Sequence, residues 1–267
     1  MADWLRRSMN PRSTRRAHQL TAREAFRVLR SNVLVAISEL SNPVVVVTSA
    51  YASEGKTSVC VNLAESLAAA GPRVAVVDLD LRNPEAHHRF AAYNEVGVSD
   101  VLLGRATLGD SLQHIELPAP DADRPAGLSF LAAGAPVHNP TELLATPRTA
   151  QLLESLSSQA DIVLLDTPPV LPVADTLVLG RLAAGAVLVV ESRRTPGPAA
   201  RRAKDTLTRN QTRLLGVVLN KFDADAGSYG IGDPGGYGLG NGLGYGLDRT
   251  LTAPNGRNGR SGNGSAT

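Results

Sequence analysis

Apolar residues alternate between two patterns along the chain. Short runs rich in β-branched residues are typical of strands buried on both faces, and apolar residues every three or four positions are typical of helices that cover a sheet. The alternation predicts an α/β fold with a mostly parallel sheet and helices on both faces. The predicted strands span residues 44–48, 74–78, 128–132, 162–166, 186–190 and 214–219, and the predicted helices include 57–70, 147–159, 175–183 and 199–210.

Composition divides the 267 residues into three zones. Residues 1–19 hold five arginines against one acid, and we expect either a flexible basic arm or a solvated leader without a role. Residues 20–223 carry the alternating pattern and form the predicted domain. Residues 224–267 hold 14 of the 25 glycines. Such a segment buries too little apolar surface to offset its ordering entropy, so we predict a disordered tail.

Charge and hydropathy exclude several classes of protein. The formal net charge of +2 is too small to indicate nucleic-acid binding by bulk electrostatics. No apolar run reaches the roughly 18–20 residues of a membrane span, and no apolar signal segment follows the N-terminal arginines. Cys60 is the one cysteine, so there is no internal disulfide or cysteine-rich metal site. We therefore expect a cytoplasmic protein.

A phosphate-binding loop follows the first predicted strand. Small residues lead into Gly55-Lys56-Thr57, where a helix begins. A strand, a small-residue loop, GK[ST] and a helix form the context of a P-loop, whose backbone N–H groups and helix N-terminus bind phosphates. Ala50 stands where the first glycine of this motif is expected. The predicted nucleotide-binding residues are Ser53, Glu54, Gly55, Lys56, Thr57 and Ser58.

Two other predicted strands end in acidic residues. One ends at Asp78 and is followed by Asp80, and another ends at Asp166. Ligands of open α/β sheets bind at the carboxyl ends of strands, so these carboxylates are expected beside the phosphate site. Asp166 is placed like the acid that holds Mg²⁺ in P-loop enzymes. The alternative is an aspartate that caps the next helix or turn, and the P-loop on a third strand favours binding of Mg²⁺ and nucleotide.

These motifs resemble those of the bacterial tyrosine kinases, P-loop enzymes that regulate capsular and exopolysaccharide synthesis and export. Residues 78–82, with the sequence DLDLR, are similar to the family's second Walker-type motif, and residues 24–30 match its E-x-x-R-x-x-R helix. The related ParA/MinD-type ATPases carry a signature lysine five residues before the GK lysine, and here that position is Tyr51. Further matching segments are 97–102, 139–144, 166–169 and 216–220.

The resemblance implies ATP and Mg²⁺ as cofactors and a catalytic role for four residues. Lys56 would neutralise the phosphates, and Thr57, Asp80 and Asp166 would hold Mg²⁺. Asp78 would accept the proton of the attacking tyrosine, because a phenol with a pKa near 10 is a poor nucleophile at neutral pH. The implied catalytic residues are Lys56, Asp78, Asp80 and Asp166.

The resemblance also implies partners. It implies a ring whose subunit interface contains Glu24, Arg27 and Arg30, which lie nearly on one helix face. From the residues alone, the alternative is a solvated charged face. A transmembrane adaptor of the polysaccharide co-polymerase type would act in trans and recruit the chain to the inner face of the plasma membrane. Asn220 ends a predicted strand and is either an adenine contact, as in related ATPases, or a turn residue.

The tail holds the expected substrate. Tyr229, Tyr237 and Tyr245 are spaced by eight, and a glycine follows each. The resemblance implies autophosphorylation of this cluster, whereas the alternative is a low-complexity linker with incidental tyrosines. The sequence thus predicts an ATP-dependent tyrosine autokinase that regulates polysaccharide synthesis. The alternatives are a ParA/MinD-like positioning ATPase and a nucleotide-binding regulator without kinase chemistry.

Overall fold

The computed structural model describes residues 11–40, 42–118 and 126–222, with side chains from residue 22 onwards. These residues form a seven-stranded sheet with the order β3-β4-β2-β5-β1-β6-β7. Every neighbouring pair is parallel except β3 and β4, so the predicted mostly parallel sheet is confirmed. The strands are β1 Val44–Ser49, β2 Val74–Asp78, β3 Leu112–Leu117, β4 Ala126–Leu131, β5 Ile162–Asp166, β6 Gly185–Glu191 and β7 Leu214–Asn220.

Helices cover both faces of the sheet, as predicted. Successive strand residues point to opposite faces, so Val44 and Val46 of β1 enter one apolar layer, and Val45 and Val47 enter the other. The second layer is covered by α1, α2 and α3, and the first by α4 and α6 to α9. The helices are α1 Pro11–Ile37, α2 Lys56–Ala68, α3 Ala86–Phe90, α4 Val98–Leu103, α5 Leu108–Ser111, α6 Pro140–Leu144, α7 Pro147–Gln159, α8 Asp175–Gly180 and α9 Gly197–Arg209.

The N-terminal boundary of the predicted domain needs a correction. Helix α1 begins at Pro11, so residues 11–19 are helical and are not part of a flexible arm. The helix continues to Ile37 and packs Val33 and Ile37 into the apolar layer around α2, with Phe26 and Leu29 against it, so its C-terminal half is anchored to the domain. Residues 1–10 lie outside the described residues.

The chain divides after Asp223 into two units. The second unit, Ala224–Thr267, lies outside the described residues, so the disordered tail stays a prediction. Among the helices that the structure describes, none has the length and apolar character to cross a membrane.

The central strands carry the acidic residues to one edge of the sheet. Asp78 at the end of β2 pairs in register with Asp166 at the end of β5, and Val47 of β1 pairs with Asp166 on the other side. The N–H of Leu79 donates to the carbonyl of Asp166 over 2.8 Å. The three strand ends that the sequence singles out therefore lie side by side.

Candidate active site

The loop between β1 and α2 has an unusual backbone conformation. Gly55 is the N-cap of α2 with a φ of 91°, and Ser53 has a φ of 65°. A Cβ atom at Gly55 would lie 2.2 Å from Nδ2 of Asn220, so both the backbone angle and this close approach require glycine. The backbone φ of Ala50 is not positive. Alanine therefore replaces the expected first glycine without backbone strain.

A cavity of about 470 Å³ lies at the N-terminus of α2. The first N–H groups of a helix have no acceptor within the helix and carry the positive end of its dipole, so they favour an anion. The predicted residues Ser53, Gly55, Lys56, Thr57 and Ser58 all line this cavity, as does Asp80. The rest of its wall is formed by Ala52, Arg82, Asn83, Glu85, Arg89, Pro168, Pro169, Pro172, Val173 and Lys221.

Lys56 joins the carboxylates of two strand ends. Its Nζ lies 2.9 Å from Oδ2 of Asp80 and 3.6 Å from Oδ1 of Asp166, and donates to Oγ1 of Thr57 over 3.2 Å. Burial lowers the pKa of Lys56, but the carboxylates of Asp166 and Asp80 outweigh that effect and raise it. The ammonium group is therefore charged at neutral pH and available to a phosphate.

Asp166 is a buried carboxylate whose Oδ1 lies 3.6 Å from the Lys56 ammonium, beyond ordinary hydrogen-bond distance. Both of its side-chain oxygens are buried without a hydrogen-bond partner among the described residues. Burial raises the pKa of Asp166 to about 6, although the nearby Lys56 ammonium opposes this rise. A cation at this point would satisfy the two oxygens.

The residues around Asp166 fit Mg²⁺. Asp166, Asp80 and the Thr57 hydroxyl are hard oxygen ligands, and Lys56 already bridges them. The described ranges contain no group of three or more His, Cys, Asp or Glu residues arranged as a metal site. In nucleotide sites, one or two carboxylates hold Mg²⁺ together with phosphates and waters.

Asp78 is fully buried below the loop that follows β2. Its Oδ1 accepts from the N–H of Asp80 over 3.2 Å, and its Oδ2 accepts from the N–H of Ala86 over 3.1 Å. Burial, followed by the Asp166 carboxylate, raises the pKa of Asp78 well above its usual range. Asp78 thus holds the turn that presents Asp80 to the cavity. Its role as proton acceptor stays a prediction.

Glu54 does not line the cavity, unlike its predicted neighbours. Its side chain is buried and accepts from the N–H of Tyr51 over 3.0 Å and from the hydroxyl of Thr195. Its carbonyl accepts from the side-chain amide of Asn220 over 2.9 Å. Glu54 therefore ties the P-loop to the segments that follow β6 and β7. The sequence indicated either an adenine contact or a turn residue at Asn220, and neither interpretation includes this contact with the P-loop.

Sequence reasoning missed two basic residues that touch the P-loop. Nζ of Lys221 donates to the carbonyl of Ser53 over 2.8 Å and lies 3.0 Å from Oε2 of Glu191. Nη2 of Arg202 donates to the Tyr51 hydroxyl over 3.0 Å. Isolated basic residues far along the chain carry no pattern that would have pointed to this loop.

We expect Gly55→Ala to weaken nucleotide binding at least tenfold and to lower stability by about 2 kcal/mol. A left-handed residue other than glycine costs about 1 kcal/mol, and the new Cβ displaces the Asn220 amide from Glu54, at a cost of about 1 kcal/mol. A fluorescent ATP analogue and thermal unfolding measure both effects. Gly197→Ala is the matched control, because a Cβ there meets nothing within 4 Å; equal losses in both variants would contradict the explanation.

Arg82 connects the second motif to two helices. Its Nε donates to Oδ2 of Asp175 over 2.7 Å and its Nη2 donates to Oδ1 over 3.1 Å, while Nη2 also donates to Oγ1 of Thr141 over 3.0 Å. Thr141 belongs to α6 and Asp175 begins α8. The guanidinium therefore fixes the chain two residues after Asp80 against the wall of the cavity.

The two halves of this ion pair are not equivalent. The Asp175 side chain is completely buried, whereas that of Arg82 is 41% exposed. We expect Arg82→Met to lower the free energy of unfolding by about 3 kcal/mol, because it leaves a buried carboxylate without its cation and with the Thr141 hydroxyl as its remaining side-chain donor. Asp175→Asn leaves a guanidinium that water can solvate, so its effect is expected to be smaller. Denaturant unfolding of both variants tests this order, and the reverse order would contradict it.

The predicted interface residues lie on α1, away from the cavity wall. Nη1 of Arg27 lies 3.0 Å from Oε2 of Glu24, and both side chains are exposed. Nη1 of Arg30 donates to the carbonyl of Ser66, near the end of α2, over 2.9 Å. One arginine of the motif thus fastens α1 to the helix of the P-loop, and the role of all three at a subunit interface stays a prediction. The predicted phosphoacceptors Tyr229, Tyr237 and Tyr245 lie outside the described residues.

Known proteins are similar to this chain in sequence and fold. Residues 45–229 match the model of the CobQ/CobB/MinD/ParA nucleotide-binding domain. The tyrosine-protein kinase YwqD of Bacillus subtilis strain 168 is 34% identical over 214 residues, which cover 79% of this chain and 87% of YwqD. The chain belongs to the bacterial tyrosine kinases. The resemblance that the motifs suggest is thereby confirmed, and so is the P-loop fold class.

The structural comparison agrees with this family. The kinase domain of the Escherichia coli tyrosine kinase Etk has a TM-score of 0.70 and 32% identity, and the match covers 78% of this chain and 80% of that domain. The chain spans only 26% of full-length Etk, so it corresponds to part of the longer relatives and to most of YwqD. The cell-division ATPase MinD of Pyrococcus furiosus, with 22% identity, a TM-score of 0.55 and coverage of 67% of this chain and 71% of that one, shares the fold alone.

Proposed function

We propose that the chain transfers the γ-phosphoryl group of ATP to the tyrosine cluster of its own C-terminal segment and thereby regulates capsular or exopolysaccharide production. The observation that carries the proposal is the convergence of Lys56, Asp80 and Asp166 at the N-terminus of α2. A cation and a carboxylate in one cavity at a helix N-terminus, with the buried Asp166 carboxylate beside the cation, are what a Mg²⁺–triphosphate complex requires. The acceptors in the proposal are Tyr229, Tyr237 and Tyr245.

The residues of the cavity divide the work of phosphoryl transfer. The P-loop N–H groups hold the phosphates, and the Lys56 ammonium moves from its carboxylate partners to the β- and γ-phosphates. Thr57, Asp80 and Asp166 are the residues that would hold Mg²⁺. The bound ion supplies neutralisation of the phosphate oxygens. Phosphoryl transfer depends mainly on this positioning and on charge stabilisation, so the protein needs no covalent intermediate.

In the proposal, the proton of the attacking tyrosine goes to Asp78. This carboxylate is buried and binds the N–H groups of Asp80 and Ala86. A tyrosine hydroxyl therefore reaches it only when the 80–86 segment moves. Its raised pKa makes the ionised carboxylate a stronger base than an ordinary aspartate.

The proposal places the protein in the cytoplasm, at the inner face of the plasma membrane. Its partner there is a transmembrane adaptor of the polysaccharide co-polymerase type, which the family resemblance implies. The active form is a ring in which Glu24, Arg27 and Arg30 contact a neighbouring subunit. Exposure of Glu24 and Arg27 supports their availability for that contact.

The decisive experiment is autophosphorylation with Mg²⁺ and ATP, with phosphotyrosine located by mass spectrometry. The wild-type chain is compared with a variant in which Tyr229, Tyr237 and Tyr245 are replaced by phenylalanine. The cytoplasmic segment of the adaptor is added in a parallel reaction, and EDTA is the control for the metal. We expect phosphate on the three tail tyrosines that EDTA abolishes.

The same reaction tests the alternative of a ParA/MinD-like ATPase. That function predicts release of inorganic phosphate to water while the tyrosines stay unmodified. ATP turnover without phosphotyrosine, with the adaptor segment present, would therefore overturn the kinase proposal. The position of Tyr51, where that group of ATPases carries its signature lysine, favours the kinase.

A further inference from the structure

A cluster of basic side chains lies beside the P-loop on the β6–α9 side of the sheet. Glu191 is the only acidic residue between residues 191 and 202, which contain four arginines, and Lys221 follows β7. All five basic side chains are exposed. The whole chain has a formal net charge of only +2, so this excess of positive charge is local. We call this cluster the basic rim; it consists of Arg193, Arg194, Arg201, Arg202 and Lys221.

Direct contacts connect the basic rim to the P-loop. Arg202 donates to the hydroxyl of Tyr51, and Lys221 donates to the carbonyl of Ser53 and lines the cavity. Arg194 lies 3.5 Å from Glu191, which also binds Lys221. Lys221 thus places one end of the rim in the wall of the cavity in which phosphoryl transfer is proposed, and Glu191 links Lys221 to Arg194.

Helix α9 keeps part of the rim directed outwards. Ala199, Ala203 and Leu207 bury one side of the helix in the core. Arg201 lies about half a turn from these positions, so it projects from the opposite side. Its charge is therefore not used to hold the fold.

The tyrosine-bearing segment of the same chain carries the opposite charge. Residues 223–248 contain four aspartates and no lysine or arginine, and the three tyrosines lie among them. The remaining residues, 249–267, contain three arginines and no acidic residue. Negative charge in the C-terminal region is therefore confined to the part that must reach an active site. The four aspartates are Asp223, Asp225, Asp233 and Asp248.

We propose that the basic rim is the docking surface for the acidic tyrosine segment, residues 223–248, and raises its local concentration at the active site. This inference rests on the proposed function and adds to it the surface that selects the substrate. Ten of the residues in this segment are glycine, so few large side chains are available for a shape-specific pocket. Charge complementarity needs no such pocket, and it raises association rates by about 10- to 1,000-fold at low salt.

The test separates the enzyme from the substrate by using two full-length copies. The enzyme copy carries phenylalanine at positions 229, 237 and 245, and the substrate copy carries Lys56→Met and keeps its tyrosines. Phosphotyrosine in the cluster then reports transfer from one copy to the other only. The substrate copy alone gives the baseline, and transfer is measured below saturation at low salt and at 0.5 M salt, where the Debye length is only about 4 Å.

The rim variant is Arg194→Gln with Arg201→Glu, because neither side chain touches the P-loop directly. We expect this pair of changes in the enzyme copy to reduce transfer about tenfold at low salt and much less at high salt. The same changes in the substrate copy are expected to have no effect. Arg181→Gln with Arg105→Glu is the matched control, since it alters two exposed arginines outside the rim by the same charge.

Charge reversal of the segment provides the complementary measurement. A substrate copy with Asp225→Lys and Asp233→Lys is expected to be a poorer substrate for the unaltered enzyme copy. It is expected to be a better substrate than the native segment for the rim variant. Equal loss for both enzyme copies would overturn the proposal.

The possible results distinguish this inference from the proposed function. No transfer between the unaltered pair would mean that the kinase proposal fails. Normal transfer by the rim variant would mean that the kinase stands and the docking proposal is wrong. Flotation with vesicles of anionic phospholipid is measured in parallel, and a rim variant that loses vesicle binding but keeps transfer would assign the rim to a membrane surface instead.

Discussion

Replacing Lys56 by methionine is expected to reduce phosphorylation of the tail tyrosines at least about 100-fold. The ammonium group is the one described cation within 3.6 Å of both Asp80 and Asp166, and it lies at the N-terminus of the P-loop helix. Loss of a single preorganised group that stabilises transition-state charge typically costs 100- to 1,000-fold in rate. Phosphotyrosine measured by mass spectrometry after a fixed time checks this expectation.

The same substitution is expected to lower the stability of the nucleotide-free protein. Methionine leaves the buried carboxylates of Asp80 and Asp166 without their shared cation, and breaking a buried ion pair costs about 3 kcal/mol. Lys56→Met combined with Asp80→Asn removes one of the stranded charges. We expect this double variant to recover stability in thermal unfolding but no phosphoryl transfer. If it recovered transfer as well, Lys56 would act only through the fold.

The central strands could be predicted because they are buried on both faces. β1, β2 and β5 each begin with four consecutive apolar residues, and every residue of the three strands is buried. Such runs are distinct even without an alignment. β3 was missed because it lies at the edge of the sheet and alternates half-buried residues with the exposed His114 and Glu116. Helices of four to six residues such as α5 and α6 are too short to display a periodic pattern.

The site could be predicted where the chemistry is local in sequence. The P-loop is contiguous, and each acidic residue directly ends or follows a strand. The contacts that hold the loop in place are not local, because Glu54 and Thr195 are separated by 141 positions and Arg82 and Asp175 by 93. No short motif records such pairs. Asp78 shows the same limit, since its spacing indicated a carboxylate near the phosphates but not that two backbone N–H groups occupy it.

The nucleotide-free site concentrates negative charge. Asp78, Asp80 and Asp166 are all buried, and the single ammonium of Lys56 pairs with Asp80 and Asp166. Burial raises the pKa of Asp166 to about 6, although Lys56 and the Thr57 hydroxyl oppose the rise, and this lies above the ordinary value of about 3.9. The ionised form of Asp166 therefore destabilises the folded protein at pH 7 and above. This arrangement favours the binding of a divalent cation at the expense of fold stability.

Asp166→Asn is therefore expected to stabilise the nucleotide-free protein against unfolding. It is also expected to inactivate the protein in phosphoryl transfer. Asparagine has the same shape without the buried charge, and a gain of about 1–2 kcal/mol corresponds to a Tm higher by about 3–6 °C in a domain of this size. Loss of a ligand for Mg²⁺ is expected to reduce phosphoryl transfer at least about 100-fold. Thermal unfolding at pH 8 without nucleotide and the autophosphorylation assay measure the two effects.

The opposite end of the same strand provides the control for this prediction. Asp161 directly precedes β5 and is exposed, and hydrogen bonds from Arg73 lower its pKa. Asp161→Asn removes a carboxylate that the fold stabilises, so we expect a slightly lower Tm and unchanged phosphoryl transfer. Changes in Tm of opposite sign for Asp166→Asn and Asp161→Asn would locate the cost at the end of the strand that is proposed to hold Mg²⁺. A lower Tm in both variants would mean that the attraction between Asp166 and Lys56 outweighs the burial of the charge.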